Sequence, residues 1–361
     1  MHGRERHFAL LNDNRVVRPF EWGIEFAIPD LDGFEAARSM DDPREAMAFL
    51  SKAAIKHSDR YYALDKEISF DLSNRLYPAK ASLSAEELKT PPAQVEMPIL
   101  TWHSALETIS TENNTAFGAY FPHQDKRAAV IVLPHWNAKA GTYFDLCKFF
   151  NKVGLSALRL TLPYHEERMP PELERADHLV SPNVGRSIQS IRQAVLDTRA
   201  AVRWLKDQGY EKIGIVGTSI GSCVGFLSFV HDPLIDAAVF NHVSGYMADV
   251  VWHGLSTYHV KEGIGENITL DELREYWKPV SPMAYLEKLA AQPSRPQRYI
   301  YTLYDLSFPI HLSLETMAAL KQHGIKHSKT AIPCGHYTLG EKPWVYLDGY
   351  KIISYLRKHL K

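Results

Sequence analysis

The sequence predicts an α/β fold with a mostly parallel central sheet and helices on both faces. Three observations predict it. From Phe117 onward, short apolar runs alternate with amphipathic stretches of helix length, the pattern of parallel strands joined by crossover helices. One run, Ala128-Ala129-Val130-Ile131-Val132-Leu133, is apolar without interruption, as expected of a strand covered on both faces. Another, Ile213-Gly214-Ile215-Val216, leads straight into Gly217-Thr218-Ser219-Ile220-Gly221 and then Ser222-Cys223-Val224-Gly225-Phe226-Leu227, which reads as the start of a helix.

Residues 1–115 lack this alternation and read as an N-terminal extension packed on a core of residues 116–361. Within the extension, Asp42 to Ala54 reads as a helix with Pro43 in its first turn, where the missing N–H has no intrahelical partner to lose. Ala46, Phe49, Leu50 and Ala53 would form its apolar face. A second, short helix is expected at 83–88, where Ser84 and Glu87 stand in capping-box positions. An independent binding domain is the alternative for this region.

In the core, Phe117–Phe121 and Ala128–Leu133 read as successive strands around a polar turn. A helix follows near Tyr143 to Val153, then a strand at Ser156 to Leu160. Ser187 to Leu205 reads as a strong helix, since Ile188, Ile191, Val195, Val202 and Leu205 fall on one stripe. Later strands are expected at Ala237–Phe240, Arg298–Tyr304 and Lys329–Pro333. A last amphipathic helix should carry Tyr346, Leu347, Tyr350, Ile353 and Leu356 near its apolar face. Tyr246 to Ala284 interrupts the alternation and holds Trp252, Tyr258, Tyr276 and Trp277. It reads as a helical cap whose tryptophans wall a substrate pocket, or as a plain helical excursion.

The chemistry centres on Ser219. Strand, tight Gly-x-Ser-x-Gly turn and helix, in that order, are the context of a nucleophile elbow. A serine hydroxyl is a poor nucleophile without a base. His336, in Cys334-Gly335-His336, follows a short strand and can supply it. Asp305 ends the Arg298–Tyr304 strand and can orient the histidine. Asp249, on the loop after Ala237–Phe240, competes for the acid role. Asp305 and His336 each stand just past the carboxyl end of a strand, where open α/β sheets place their chemistry.

On Gly-Thr-Ser-Ile-Gly at 217–221, Leu-Tyr-Asp at 303–305 and Cys-Gly-His at 334–336, the chain resembles the α/β-hydrolase superfamily over residues 115–361. Within it, the chain looks most like the esterase branches related to dienelactone hydrolases and acetyl xylan esterases. It also looks like a branch with a long N-terminal extension. The resemblance implies an acyl-enzyme mechanism with Ser219, His336 and Asp305 as the triad. It also implies an oxyanion hole built from the Ile220 N–H and a donor in Pro134-His135-Trp136-Asn137. Many relatives carry glycine where Trp136 stands, which leaves Trp136 and Asn137 both open as the second donor. His135 and Trp136 could line the acyl pocket or pack beneath the loop.

Composition fits this reading. The chain has 361 residues, 41 basic and 42 acidic, for a net charge of −1. Nothing builds the positive field that nucleic-acid binding needs. Cys147, Cys223 and Cys334 are too few for a disulfide framework and read as small buried residues. No run approaches a membrane span and no signal peptide is visible, so a cytoplasmic protein is expected. His165-Glu166-Glu167 lies on a loop after a strand and reads as solvated, without recognisable metal spacing. Neither a metal nor a cofactor is expected. The expected function is a serine esterase acting on a small-molecule carboxylic ester. An acyltransferase or a peptidase would use the same triad, and a non-catalytic binding protein is the remaining alternative.

Overall fold

The structure is a computed structural model and describes residues 1–11, 14–29, 34–81 and 93–361. The helix expected at 83–88 lies outside them. Among the described residues are nine strands: β1 Phe70–Pro78, β2 Gln94–His103, β3 Thr115–Phe121, β4 Ala128–Leu133, β5 Ser156–Leu160, β6 Lys212–Thr218, β7 Ala237–Asn241, β8 Gln297–Thr302 and β9 Ser328–Ile332. Their order is β1-β2-β3-β5-β4-β6-β7-β8-β9. β1, β2 and β3 pair antiparallel, and β3 meets β5 antiparallel. β4 pairs parallel with both β5 and β6, and β8 pairs parallel with β9. The result is the large, mostly parallel sheet flanked by helices that the alternation predicts.

The central strands form where the sequence is mostly apolar, with Ser156 and Arg159 the polar residues of β5. Every residue of β4, β5 and β7 is buried, as a strand covered on both faces requires. β3 and β4 follow each other in the chain but are not neighbours, because β5 lies between them. β1 and β2 have no counterpart among the strands expected from the sequence. β1 is mostly exposed, Leu72 and Leu76 included, and β2 contains Pro98, so neither shows the alternation that marks a half-buried strand.

The chain divides into two compact units. One comprises Leu64–Ala176, Gln193–Val239 and Gly349–Lys361, and holds β1 to β6. The other comprises Met1–Ala63, Asp177–Arg192 and Phe240–Asp348, and holds β8 and β9. The division does not fall at residue 115. Residues 1–63 group with the chain after β7, and β1 and β2 belong to the sheet.

The helices show where periodicity succeeds and where it slips. In Val184–Asp207, Ile188, Ile191, Val195, Val202 and Leu205 are all buried. Pro43–Lys56 starts as expected, with the Asp42 carboxylate accepting the Arg44 N–H at 2.8 Å. Its buried residues are Ala46, Met47, Leu50, Ser51 and Ala54, a face turned by about one residue from the apolar count. Polar contacts set that rotation. Ser51 Oγ donates to the Glu275 carbonyl at 2.5 Å and the Arg44 guanidinium donates to the Asn267 carbonyl at 2.6 Å. In Trp344–Leu360 the buried set is Ile352, Tyr355, Leu356 and Leu360. Tyr346 and Tyr350 are exposed, so the expected stripe was displaced by its tyrosines.

Residues 246–284 are largely helical, with helices Met247–His253, Tyr258–Ile264 and Leu270–Tyr276, and short 3₁₀ turns at Leu255–Thr257, Lys278–Val280 and Pro282–Tyr285. Thr269 and Glu272 close a capping box at the third helix. Trp277 is fully buried and its indole N–H donates to the Val184 carbonyl at 3.1 Å. A side chain with no accessible surface does not wall a pocket, so the substrate-binding role expected of Trp277 is corrected to a core role. Trp277→Ala should therefore cost about 3–5 kcal/mol. Chemical denaturation would check this: the midpoint should fall with the m-value unchanged, and a loss under about 1 kcal/mol would contradict the core role.

Candidate active site

Ser219 stands between β6 and the helix Ile220–His231, with φ 58° and ψ −122°. A non-glycine residue held there is strained by about 1–3 kcal/mol and persists only where its surroundings fix it. Backbone packing does so. A Cβ on Gly217 would lie 2.0 Å from the Gly221 carbonyl oxygen, and one on Gly221 would lie 2.5 Å from the Leu133 and Pro134 carbonyl oxygens. Both glycines are thus dictated by backbone approach. The Ser219 carbonyl accepts from Ser222 N–H at 2.8 Å and Ser222 Oγ at 2.7 Å. Ser219 is 7% exposed, at the start of the helix, where the dipole favours developing negative charge.

The approach of Gly221 to Pro134 brings the loop after β4 beside the elbow. There Asn137 has φ 61°. Its backbone N–H donates to His165 Nε2 at 2.7 Å, and its side-chain oxygen accepts from Ala176 N–H at 2.8 Å. His165 Nδ1–H in turn donates to the Pro163 carbonyl at 2.9 Å. His165 is buried, and burial pushes its pKa down to about 4, so it stays a neutral acceptor for Asn137. Trp136 donates its indole N–H to the Ala176 carbonyl at 2.8 Å and packs against Tyr164, Leu173 and Ala176. The Arg175 guanidinium lies 5.7 Å from its ring centre. His135 Nδ1 lies 2.9 Å from the Tyr143 hydroxyl.

The segment His165-Glu166-Glu167 was expected to be a solvated loop. Instead His165 is buried with both ring nitrogens engaged, and the Glu166 side chain is 5% exposed, ion-paired to Arg159 at 2.6 Å. The polarity of the loop hid this. Its carboxylate and imidazole answer buried partners from β5 and from the loop after β4.

Asp305 follows β8 and is buried. Its Oδ2 accepts from His336 Nδ1 at 3.1 Å, His242 Nδ1 at 2.9 Å and Thr302 Oγ1 at 3.0 Å. Its Oδ1 accepts the backbone N–H groups of Ser307 at 2.8 Å and Phe308 at 2.7 Å. A carboxylate only accepts, so both imidazoles carry their proton on Nδ1 and leave Nε2 unprotonated when neutral. Burial works against the charge of Asp305, yet the imidazoles and their hydrogen bonds hold its pKa well below the usual carboxylate range. Burial would likewise push His336 down, but the Asp305 charge and hydrogen bond, with Glu5, raise its pKa above the usual imidazole value. Phe308 stacks on the His336 ring at 5.3 Å.

Asp249, the competing acid, is buried in a two-point pair with Arg274, Oδ2 to Nε at 2.9 Å and Oδ1 to Nη2 at 2.5 Å. Its charge is answered there, and it is Asp305 that meets His336.

Among seventeen histidines, His242 reads in the sequence as a surface or core residue. It is buried with φ 57°, and its ring centre lies 4.0 Å from that of His336. Burial, then the neighbouring His336, push its pKa down to about 4. One signal could have found it: His242 is the first residue after β7, as Ser219 is the first after β6. His242, Asp305 and His336 also offer one ligand atom each within 4.8 Å of one another. Both Nδ1 protons would have to leave for an ion to sit there. Trp252 is half-buried, with the Lys261 ammonium 5.1 Å from its ring centre.

Comparison with solved structures agrees with this architecture. The acetyl xylan esterase from Paenibacillus sp. R4 superposes with a TM-score of 0.58 at 12% identity, over 92% of this chain and 98% of that one. Acetyl xylan esterase 1 from Thermoanaerobacterium sp. JW/SL YS485 gives 0.57 at 11% identity, over 94% and 98%. The fold is that of the α/β-hydrolases. The acylaminoacyl peptidase of Pyrococcus horikoshii gives 0.55 at 16% identity over 81% of this chain, which spans only 42% of the peptidase. No family model matches the sequence, and no curated protein matches it.

The two imidazoles on Asp305 should titrate on opposite sides of the ordinary value near 6.5. A histidine NMR titration should find His336 protonating above it and His242 remaining neutral down to about 4. In Asp305→Asn, the His336 titration should move to lower pH, because burial is then opposed only by the smaller effect of Glu5. Equal titration of both rings in the wild type would contradict the arrangement.

Proposed function

We propose that this chain is a serine hydrolase cleaving a small carboxylic ester, with Ser219 as nucleophile, His336 as its base and Asp305 as the acid. The observation that carries this reading is the Asp305–His336 hydrogen bond of 3.1 Å, made by a buried carboxylate that leaves Nε2 of His336 as the basic nitrogen. The strained elbow at Ser219 supports it.

In the proposed reaction Ser219 Oγ attacks the acyl carbon while His336 Nε2 takes its proton. The imidazolium is stabilised by Asp305 and gives the proton to the departing alcohol oxygen. Water then attacks the acyl-enzyme with His336 again as base, releasing the acid and restoring Ser219. Charge developing on the carbonyl oxygen needs preorganised donors. The Ile220 N–H is one. Of the two candidates on the loop after β4, Trp136 is preferred, since the Asn137 N–H is already donated to His165. The esterase function named for two of the structural neighbours favours an ester. A peptidase using the same residues is the second reading, favoured by the likeness to the Pyrococcus peptidase.

Ser219→Ala should abolish turnover of short acyl esters, on the order of 10⁴-fold or more in kcat, while melting as the wild type does. Full activity in that variant would overturn the assignment. Asp305→Asn should lose a similar factor, whereas Asp249→Asn should lower thermal stability and spare kcat. The reverse ranking would move the acid to Asp249.

The pH dependence follows from His336. Attack needs the neutral imidazole, and its folded pKa is raised, so kcat/KM should be full at high pH and fall as pH drops through a value above 6.5. A rate profile on a neutral ester checks this. An acid limb well below 6.5 would contradict it.

A further inference from the structure

The helix His2–Leu10 buries two residues, Glu5 and Ala9, and has no apolar stripe. A mostly polar helix has little hydrophobic reason to dock. Glu5 nonetheless has no exposed surface, and burying a carboxylate is costly unless hydrogen bonds offset it. Those bonds come from the loop that carries His336. Glu5 Oε1 accepts Tyr337 N–H at 2.9 Å, and Oε2 accepts Tyr337 N–H at 3.2 Å, Thr338 N–H at 3.0 Å and Thr338 Oγ1 at 3.2 Å. Thr338 Oγ1 itself accepts Gly335 N–H at 2.7 Å. The residue before His336 and the two after it are therefore tied, directly or through one hydroxyl, to a single carboxylate.

Other contacts of the same stretch follow the same loop. Arg4 pairs with Glu341, and Arg15 donates to the Tyr337 hydroxyl at 3.2 Å and to the Ser256 carbonyl at 3.0 Å. His2 meets Tyr304, the neighbour of Asp305, edge-on at 5.4 Å. Gly335 is the complementary feature. A Cβ there would lie 2.4 Å from the Glu5 carboxyl carbon and oxygen, so glycine is what admits Glu5.

We propose that Glu5 is a positioning residue for His336, which makes the helix His2–Leu10 a working part of the acid–base site. The proposal rests on the reading of His336 as the base. The groups facing His336 are Asp305 after β8, His242 after β7 and Glu5 on this helix. Asp305 sets the ring by direct contact. Glu5 sets the backbone on either side of it and adds a second negative charge that favours the imidazolium. A displacement of about 1 Å at such a group can cost on the order of 10²-fold in rate.

The test compares wild type, Glu5→Gln and Gly335→Ala. Glu5→Gln keeps the shape but removes the charge and sets an amide donor against N–H groups. Gly335→Ala keeps the charge but displaces the carboxylate. Both should lower kcat by roughly 10- to 100-fold with little change in KM. In Glu5→Gln the His336 NMR titration and the acid limb of the rate profile should move to lower pH. A folded Glu5→Gln with wild-type kcat and unshifted His336 titration would overturn the proposal, since a purely structural anchor would change only the melting temperature. If Glu5→Gln does not fold, Gly335→Ala decides through kcat alone, and wild-type kcat there overturns it. Full activity in Ser219→Ala would instead defeat the serine reading, and the NMR titration would then judge Glu5 without reference to turnover.

Discussion

The buried carboxylate of Asp305 is the constraint around which the site is arranged. A charge in that position is destabilising by several kcal/mol unless its lone pairs are matched. Here Oδ1 is matched by two backbone N–H groups and Oδ2 by a hydroxyl and two imidazoles. The consequences spread from there. The turn after β8 is closed by the Ser307 and Phe308 amides, which sets Phe308 against the His336 ring. His242 is held at positive φ while its Nδ1 reaches the same oxygen. The two rings differ in their settings: burial and its neighbour keep His242 neutral, and the Asp305 charge raises the pKa of His336.

Backbone strain recurs at the ends of the central strands. The non-glycine residues at positive φ include Asn137 after β4, Tyr164 and Glu166 after β5, Ser219 after β6 and His242 after β7. Each lies just beyond the carboxyl end of its strand. Such conformations persist where surrounding contacts over-determine them, and here the contacts are identifiable. Asn137 is fixed by His165 and Ala176, Tyr164 by the Asn113 side chain, and Glu166 by Arg159.

Much of this was legible in the sequence, for physical reasons that also explain the rest. Strands β4, β5 and β7 are buried on both faces, so their apolar runs gave their limits closely. Ser219 and Asp305 could be placed because each follows a largely buried strand, whereas His336 follows the half-exposed β9 and was placed by its Cys-Gly-His setting near the end of the chain. β1 and β2 could not, since exposed leucines in β1 and Pro98 in β2 break the alternation. Tyr346 and Tyr350 misled the reading of the last helix because a tyrosine scores as apolar whether or not its ring is covered. Trp277 misled it in the opposite sense, an aromatic among charges whose indole N–H had a buried carbonyl to meet. His242 and Glu5 carry no local signal for their partners, which lie 63 and 332 residues away in the chain.

The proposed reaction depends on Ser219 being the activated nucleophile. The most direct measurement is peptide mapping by mass spectrometry after treating the folded protein with a small fluorophosphonate across a pH series. The account predicts one adduct, on Ser219, formed fastest where His336 is neutral and lost in acid. An adduct on another residue, or none from a protein that remains folded, would contradict it.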